Sequence, residues 1–189
     1  MKTKLLILTL LFLVSCKSIQ KNIENNRNYI PLEKEEALKK MNGYSISIPD
    51  DWYSYIEAHK KLCHSPKKLK NEGVKYNANL ICMRIEPAKG KSINYIYNRT
   101  NEWLSKIFDN PSLTKNVVNS DKYGKYLIMK FGARWSKKDY TISELVFLQN
   151  DKFYTLRYAS WNQYYSEFLP EALKIIETFK IDKIIKNEN

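Results

Sequence analysis

The sequence predicts an α+β domain, and three observations carry that expectation. Two segments, 92–108 and 164–179, repeat apolar residues at the spacing of amphipathic helices. Strand-like runs at 123–134, 139–149 and 153–160 lie between them, and the last two are joined by Asn150-Asp151, residues that tolerate the left-handed backbone of a tight hairpin. Residues 44–48, Tyr-Ser-Ile-Ser-Ile, alternate apolar and polar side chains as a half-buried strand does. With 43% hydrophobic and 28% charged residues over 189 positions, and only five glycines and three cysteines, the chain can pack one core. It is not disordered, collagenous or disulfide-stapled.

At the amino terminus, Lys2 and Lys4 precede an apolar run from Leu5 to Val14, interrupted by Thr9, that meets Ser15 and Cys16. This is the pattern of a secretory signal. At about ten residues the run falls well short of the roughly twenty that a helix needs to cross a bilayer. Leu13-Val14-Ser15-Cys16 resembles the lipobox of bacterial lipoproteins. The resemblance implies removal of residues 1–15 and a diacylglyceryl group on the Cys16 thiol, which would hold the chain on a lipid bilayer at about 0.8 kcal/mol per buried methylene. An ordinary signal peptide with an incidental cysteine is the alternative. Lys17 resembles an outer-membrane sorting context, and no acidic, surface-export-like cluster follows Cys16. The expected location is the cell envelope, on the periplasmic face of the outer membrane.

Residues 16–42 read as a tether, polar and asparagine-rich at first, with a short helical pattern over 32–41 that Asn42-Gly43 closes. One domain is expected over 43–181, followed by a tail, 182–189. The 44–48 strand ends at Pro49, and Pro49-Asp50-Asp51-Trp52 is a turn that returns an aromatic ring to the core. A second strand is expected over 53–58, the segment 59–77 shows no period, and 78–86 resumes as a strand. Ile93, Ile96, Tyr97, Trp103, Leu104, Ile107 and Phe108 form the apolar stripe of the first long helix. In the hairpin, Ile142, Val146 and Leu148 share a face, as Tyr154, Leu156 and Tyr158 do on the partner, the pattern of a sheet with one covered face. Phe168, Leu169, Leu173, Ile176 and Phe179 stripe the last helix, with Pro170 placed to open its main segment.

Gly43-Tyr44-Ser45-Ile46-Ser47-Ile48-Pro49-Asp50-Asp51-Trp52 resembles the opening of PsbP-like domains, in which a glycine, a short strand, a proline and a tryptophan recur in that order. The run from Phe153 to Ala159, followed by Tyr165, Pro170 and Ile175-Ile176-Glu177-Thr178-Phe179, resembles that family's last strand and carboxy-terminal helix. The resemblance implies a central antiparallel sheet flanked by helices, an α/β/α sandwich, and a binding or accessory protein rather than an enzyme. Architecture alone does not give function, which has to come from a site.

The sequence holds no Gly-x-Ser-x-Gly elbow, Gly-rich phosphate loop, HExxH or EF-hand pattern, so no catalytic residue, cofactor or metal site is expected. Asp50-Asp51 suit a turn better than acid–base work. Once Cys16 is acylated, Cys63 and Cys82 are an even pair in an oxidising compartment and candidates for a disulfide, which would contribute about 3 kcal/mol in the chain-entropy model. The other readings are two separate thiols, a metal site of Cys63, His64 and Cys82 short of zinc's usual four ligands, or a Cys63–His64 nucleophile.

The formal charge of +12 falls to +10 without residues 1–15, which contain two lysines and no acid. Lys60, Lys61, Lys67, Lys68, Lys70 and Lys75 face only Glu72 within 59–77, a patch suited to a solvated loop or an anionic membrane surface. Five of the 32 basic residues are arginine, the better residue for bidentate phosphate recognition, so nucleic acid is not an expected partner. Trp52 and Trp103 fall at core positions, whereas Trp135 and Trp161 are candidates for an exposed binding surface. The expected function is that of a non-enzymatic, membrane-anchored accessory factor that binds a protein partner in an envelope or secretion process. The alternative is a periplasmic small-molecule or metal carrier with a cleft beside Cys63 and Cys82.

Overall fold

In the computed structural model, residues 30–57, 61–74, 78–108, 111–135 and 137–182 are described. Cys16, His59, Lys60, Lys75 and the side chain of Trp135 lie outside that set. Helix α1, Leu32–Asn42, carries Glu33 and Glu35 in its first turn and Lys39 and Lys40 in its last, matching the helix dipole. Gly43 stops it at φ 73°, a left-handed conformation that costs glycine little.

Strand β1, Tyr44–Ser45, is much shorter than the alternation at 44–48 suggests, and it pairs with β9, Lys180–Ile181, rather than joining the main sheet. The alternation is nonetheless real: Tyr44 and Ile46 are buried while Ser45 and Ser47 are exposed. The main sheet is antiparallel and seven-stranded, in the order β2-β3-β4-β8-β7-β6-β5. Its members are β2 Trp52–Glu57, β3 Lys61–Pro66, β4 Asn79–Pro87, β5 Leu113–Ser120, β6 Gly124–Trp135, β7 Lys138–Gln149 and β8 Lys152–Trp161. Asn150 and Asp151 turn β7 into β8, both at φ 53°.

Two of these strands have no counterpart in the sequence reading. β3 and the short helix α2, Lys67–Asn71, occupy the segment expected to be aperiodic. Leu62, Cys63, His64 and Ser65 are all buried, so β3 is covered on both faces and shows no alternation. β5 hides for the opposite reason: it is an edge strand, largely exposed, and its sequence is as polar as a loop.

The expectation of one covered face is also corrected. Helix α4, Asn162–Glu177, packs on one face of the sheet, where Ile81, Phe147, Tyr154, Leu156 and Tyr158 meet Ala172, Ile175 and Ile176. Helix α3, Asn94–Ser105, covers part of the other, where Ile96 joins Leu127, Met129, Val146 and Phe153. Val146 lies opposite Thr155 and Phe147 opposite Tyr154, so the two apolar sets read from the hairpin point to opposite faces. Each fully buried aromatic or aliphatic side chain of this kind contributes about 1.5–3 kcal/mol.

α4 runs through Pro170 instead of starting there. Ser166 and Pro170 are both exposed, so water can take the carbonyl that proline leaves without a donor. Leu173, assigned to the buried stripe, is 47% exposed, and Ala172 and Ile175 hold that place. Among the described residues no helix is long and apolar enough to cross a membrane.

Candidate ligand-binding cleft

The face under α3 is not fully closed. A cleft of about 530 Å³ lies between α3 and strands β4, β8, β7 and β6, a size typical of small-molecule sites. The strand register fixes what lines its floor. One row across the sheet carries Leu80, Ala159, Ile142 and Phe131, all apolar. The next carries Cys82, Arg157 and Glu144, and the third Arg84, Thr155 and Val146. Arg99, Thr100 and Trp103 of α3 reach in from above, and Glu57 and Lys61 stand at the β2–β3 side.

The polar half of the floor is incompletely paired. Glu144 is fully buried, and its Oε1 accepts from Arg157 Nε at 2.6 Å, while its Oε2 has no partner among the described residues. Thr155 Oγ1 and Arg84 Nε are likewise buried without a partner. Arg99 forms a two-pronged pair with Glu86 at 2.6 and 3.2 Å, which holds its guanidinium above its ordinary range. Arg84 has no such pair, and burial pushes its guanidinium below the usual range against a smaller opposing pull from Glu144 and Glu86. Three buried polar atoms on two adjacent rows thus have no partner among the described residues, whereas buried polar groups ordinarily bond protein or water.

A second cavity, about 470 Å³, lies between α1 and β2 and differs in kind. Its buried cation, Lys39 Nζ, is saturated by Glu35 at 2.7 Å, Glu36 at 2.7 Å and the Ile46 carbonyl at 3.0 Å. Ser54 Oγ lies 2.8 Å from His64 Nδ1. Burial, with a smaller contribution from Lys39, pushes the His64 imidazole down to about 3, so it is neutral at physiological pH. The charge beside it is a lysine, the wrong sign for the third member of a Ser–His–acid triad.

The sequence candidates separate accordingly. Cys63 and Cys82 face each other across β3 and β4, with Cα atoms 4.2 Å apart, and are joined in a disulfide. His64, next along the strand, points to the opposite face and bonds Ser54, so neither a Cys63–His64 nucleophile nor a metal site of Cys63, His64 and Cys82 can assemble. Glu57 lies within 4.8 Å of both sulfurs, but the disulfide takes up the thiolates a metal would need.

The described lysines of the 59–77 segment, Lys61, Lys67, Lys68 and Lys70, lie on β3 and α2 and not in one solvated loop. Lys61 is half-buried at the cleft, Lys67 lines the second cavity, Lys68 pairs with Glu167 at 2.6 Å, and Lys70 lies over the Tyr53 ring. Trp161, expected on an open surface, is half-buried, stacked on Tyr164 and edge-on to Tyr140. Trp103, expected in the core, is 43% exposed at the cleft mouth. Trp52 is buried as expected.

The residues that define the cleft, Arg84, Glu144, Thr155 and Arg157, were not among the candidates. A signal for them exists in the strands: Glu144 shares the parity of Ile142 and Val146, and Arg84 that of Leu80 and Cys82. A charge at an inward strand position demands a partner.

No family model matches the sequence, and no curated protein does. Solved structures do match. The cyanobacterial PsbP protein CyanoP of Synechocystis sp. PCC 6803 is similar with a TM-score of 0.51 at 9% identity, over 75% of this chain and 88% of that one. A protein of Bacteroides thetaiotaomicron VPI-5482 aligns with a TM-score of 0.46 at 14% identity, over 75% of this chain and 46% of that one. LpqN of Mycobacterium tuberculosis, described as involved in cell envelope biogenesis, aligns at 0.42 and 8%, over 74% and 83%. The fold is PsbP-like, on the strength of the CyanoP match.

Proposed function

We propose that this chain is a non-enzymatic, lipid-anchored protein of the cell envelope that binds a small molecule in the cleft beneath α3. The single observation that carries the binding assignment is the floor of that cleft, where Glu144 Oε2, Thr155 Oγ1 and Arg84 Nε are buried without partners beside an apolar row. An unfilled hydrogen-bonding group costs about 1–3 kcal/mol, so a fold gains nothing from keeping three of them unless something else fills them. The anchor rests on Lys2, Lys4, the apolar run and Cys16. It predicts that Cys16→Ala moves the protein from the membrane to the soluble envelope fraction; membrane retention of that variant would remove the anchor. Native mass spectrometry of protein purified from its own envelope should show a bound small molecule, and a spectrum with apoprotein alone would remove the carrier assignment.

A second reading, attachment of a protein partner along the sheet, is favoured by β5. This is an eight-residue edge strand with an open backbone ladder and an exposed Val117. A photo-crosslinker at Asn116 on β5 should capture an envelope protein that one at Lys174 on α4 does not. Equal capture at both positions would discard this reading.

A further inference from the structure

The chemistry of the ligand can be read from the polar half of the cleft floor; the reading depends on the cleft being a binding site, as proposed above. Charge is the first constraint. Four cations and two carboxylates line the cavity, and a third carboxylate, Glu86, pairs with Arg99 from outside the lining. Arg157 is neutralised by Glu144, Arg99 by Glu86, and Lys61 faces Glu57 across the β2–β3 pair. Arg84 remains, with no carboxylate within ion-pair reach among the described residues. One uncompensated guanidinium in a partly desolvated wall favours one negative charge on the ligand.

Geometry is the second constraint. Arg84 and Thr155 are direct cross-strand neighbours, so their Cβ atoms stand about 4.5–5.5 Å apart, and Glu144 is diagonal to Thr155 at about 7–8 Å. A carboxylate can accept from Arg84 Nε with one oxygen and from the Thr155 hydroxyl with the other. Glu144 Oε2 can only accept while ionised, so the ligand must donate to it. The donor has to sit next to the carboxylate, because the three groups span no more than a compact head. Beyond that head, Leu80, Phe131, Ile142 and Ala159 offer only carbon, with Trp103 above them.

We propose that the cleft selects a small amphipathic carboxylic acid bearing a hydrogen-bond donor, a hydroxyl or an amide N–H, on the carbon beside its carboxylate. The carboxylate binds Arg84 and Thr155, the donor binds Glu144, and the tail lies on the apolar row.

Calorimetric titration of the full mature chain with four ligands of one tail length tests this: α-hydroxydecanoate, decanoate, methyl α-hydroxydecanoate and decanol. α-Hydroxydecanoate should bind about 10- to 100-fold more tightly than decanoate, and by a similar factor more tightly than its ester, the range expected for hydrogen bonds to charged groups. Arg84→Met should erase the preference for acid over ester. Glu144→Gln should shrink the preference for the hydroxy acid. Where Arg84→Met does not fold, Thr155→Val should still reduce the acid-over-ester ratio. If all four ligands bind alike, the head-group assignment falls while the cleft stands as an apolar binding site. If none binds, the cleft assignment falls with it.

Discussion

The two faces of the sheet are built from the same four central strands and do different work. Under α4, polar groups that enter the core are largely answered, although Asn79 Oδ1 has no partner among the described residues. The Tyr158 hydroxyl accepts from Asn79 Nδ2 at 2.9 Å, Asn79 also reaches Ser160 Oγ at 3.1 Å, and the Tyr123 hydroxyl meets the Phe179 carbonyl. Phe147, Tyr123, Tyr126 and Phe179 pack ring against ring, with centroids 4.8–5.3 Å from Phe147. Under α3 the same strands place Arg84, Thr155 and Glu144 at inward positions and leave an atom of each unanswered. The face under α4 is closed by aromatic packing, and the face under α3 keeps an open cleft. One sheet can carry both because successive side chains on a strand share no surroundings.

The largest expected effect lies on the packed face. Phe147→Ala should cost about 3–5 kcal/mol, the range for emptying a buried aromatic site, when followed by chemical denaturation. A loss below about 1 kcal/mol would mean that this face is as loosely organised as the other. Next comes the staple beside the cleft. Cys63→Ser with Cys82→Ser should lower stability by about 3 kcal/mol in the same assay, since the bond closes a loop with a sequence separation of 19.

His64, on the packed side of β3, sharpens the comparison through pH. Its folded-state value near 3 lies below the ordinary 6.5, so between those values the unfolded chain binds a proton that the native chain does not. Stability is therefore complete above about pH 6.5 and falls by about 1.4 kcal/mol per unit as pH drops toward 3. Denaturation at pH 5 and pH 8 should differ by about 2 kcal/mol from this group. His64→Gln should flatten that difference, and an unchanged slope would show that His64 is not the group responsible.

The smallest effect is the most discriminating, because its sign differs between the faces. Tyr158→Phe removes an answered hydroxyl and should cost about 1 kcal/mol. Thr155→Val removes an unanswered one and should be neutral or stabilising by up to about 1 kcal/mol in the absence of ligand. Equal losses from the two substitutions would abolish the distinction.

Much of the scaffold was legible from local pattern. The β6–β7–β8 meander, the Asn150-Asp151 hairpin, the Gly43 cap and both long helices are set by neighbours in sequence, through alternation, helical spacing and residues that tolerate positive φ. β3 was not legible because burial on both faces erases alternation, and β5 was not because an exposed edge resembles a loop. The Cys63–Cys82 pair could be suspected from cysteine count, but its existence depends on β3 lying beside β4.

Taken alone, the sequence determined the α+β class, the order of most elements and the presence of a lipobox-like amino terminus. Those properties depend on residues within a turn or a few turns of one another. Tertiary structure decided which inward-facing charges meet. Arg84, Glu144 and Thr155 come from three strands separated by 60 and 11 positions in the chain, and only the register across β4, β8 and β7 makes them neighbours. A register shift of one residue would send each to the opposite face. The site is thus a property of strand pairing, which long-range packing fixes and local sequence does not.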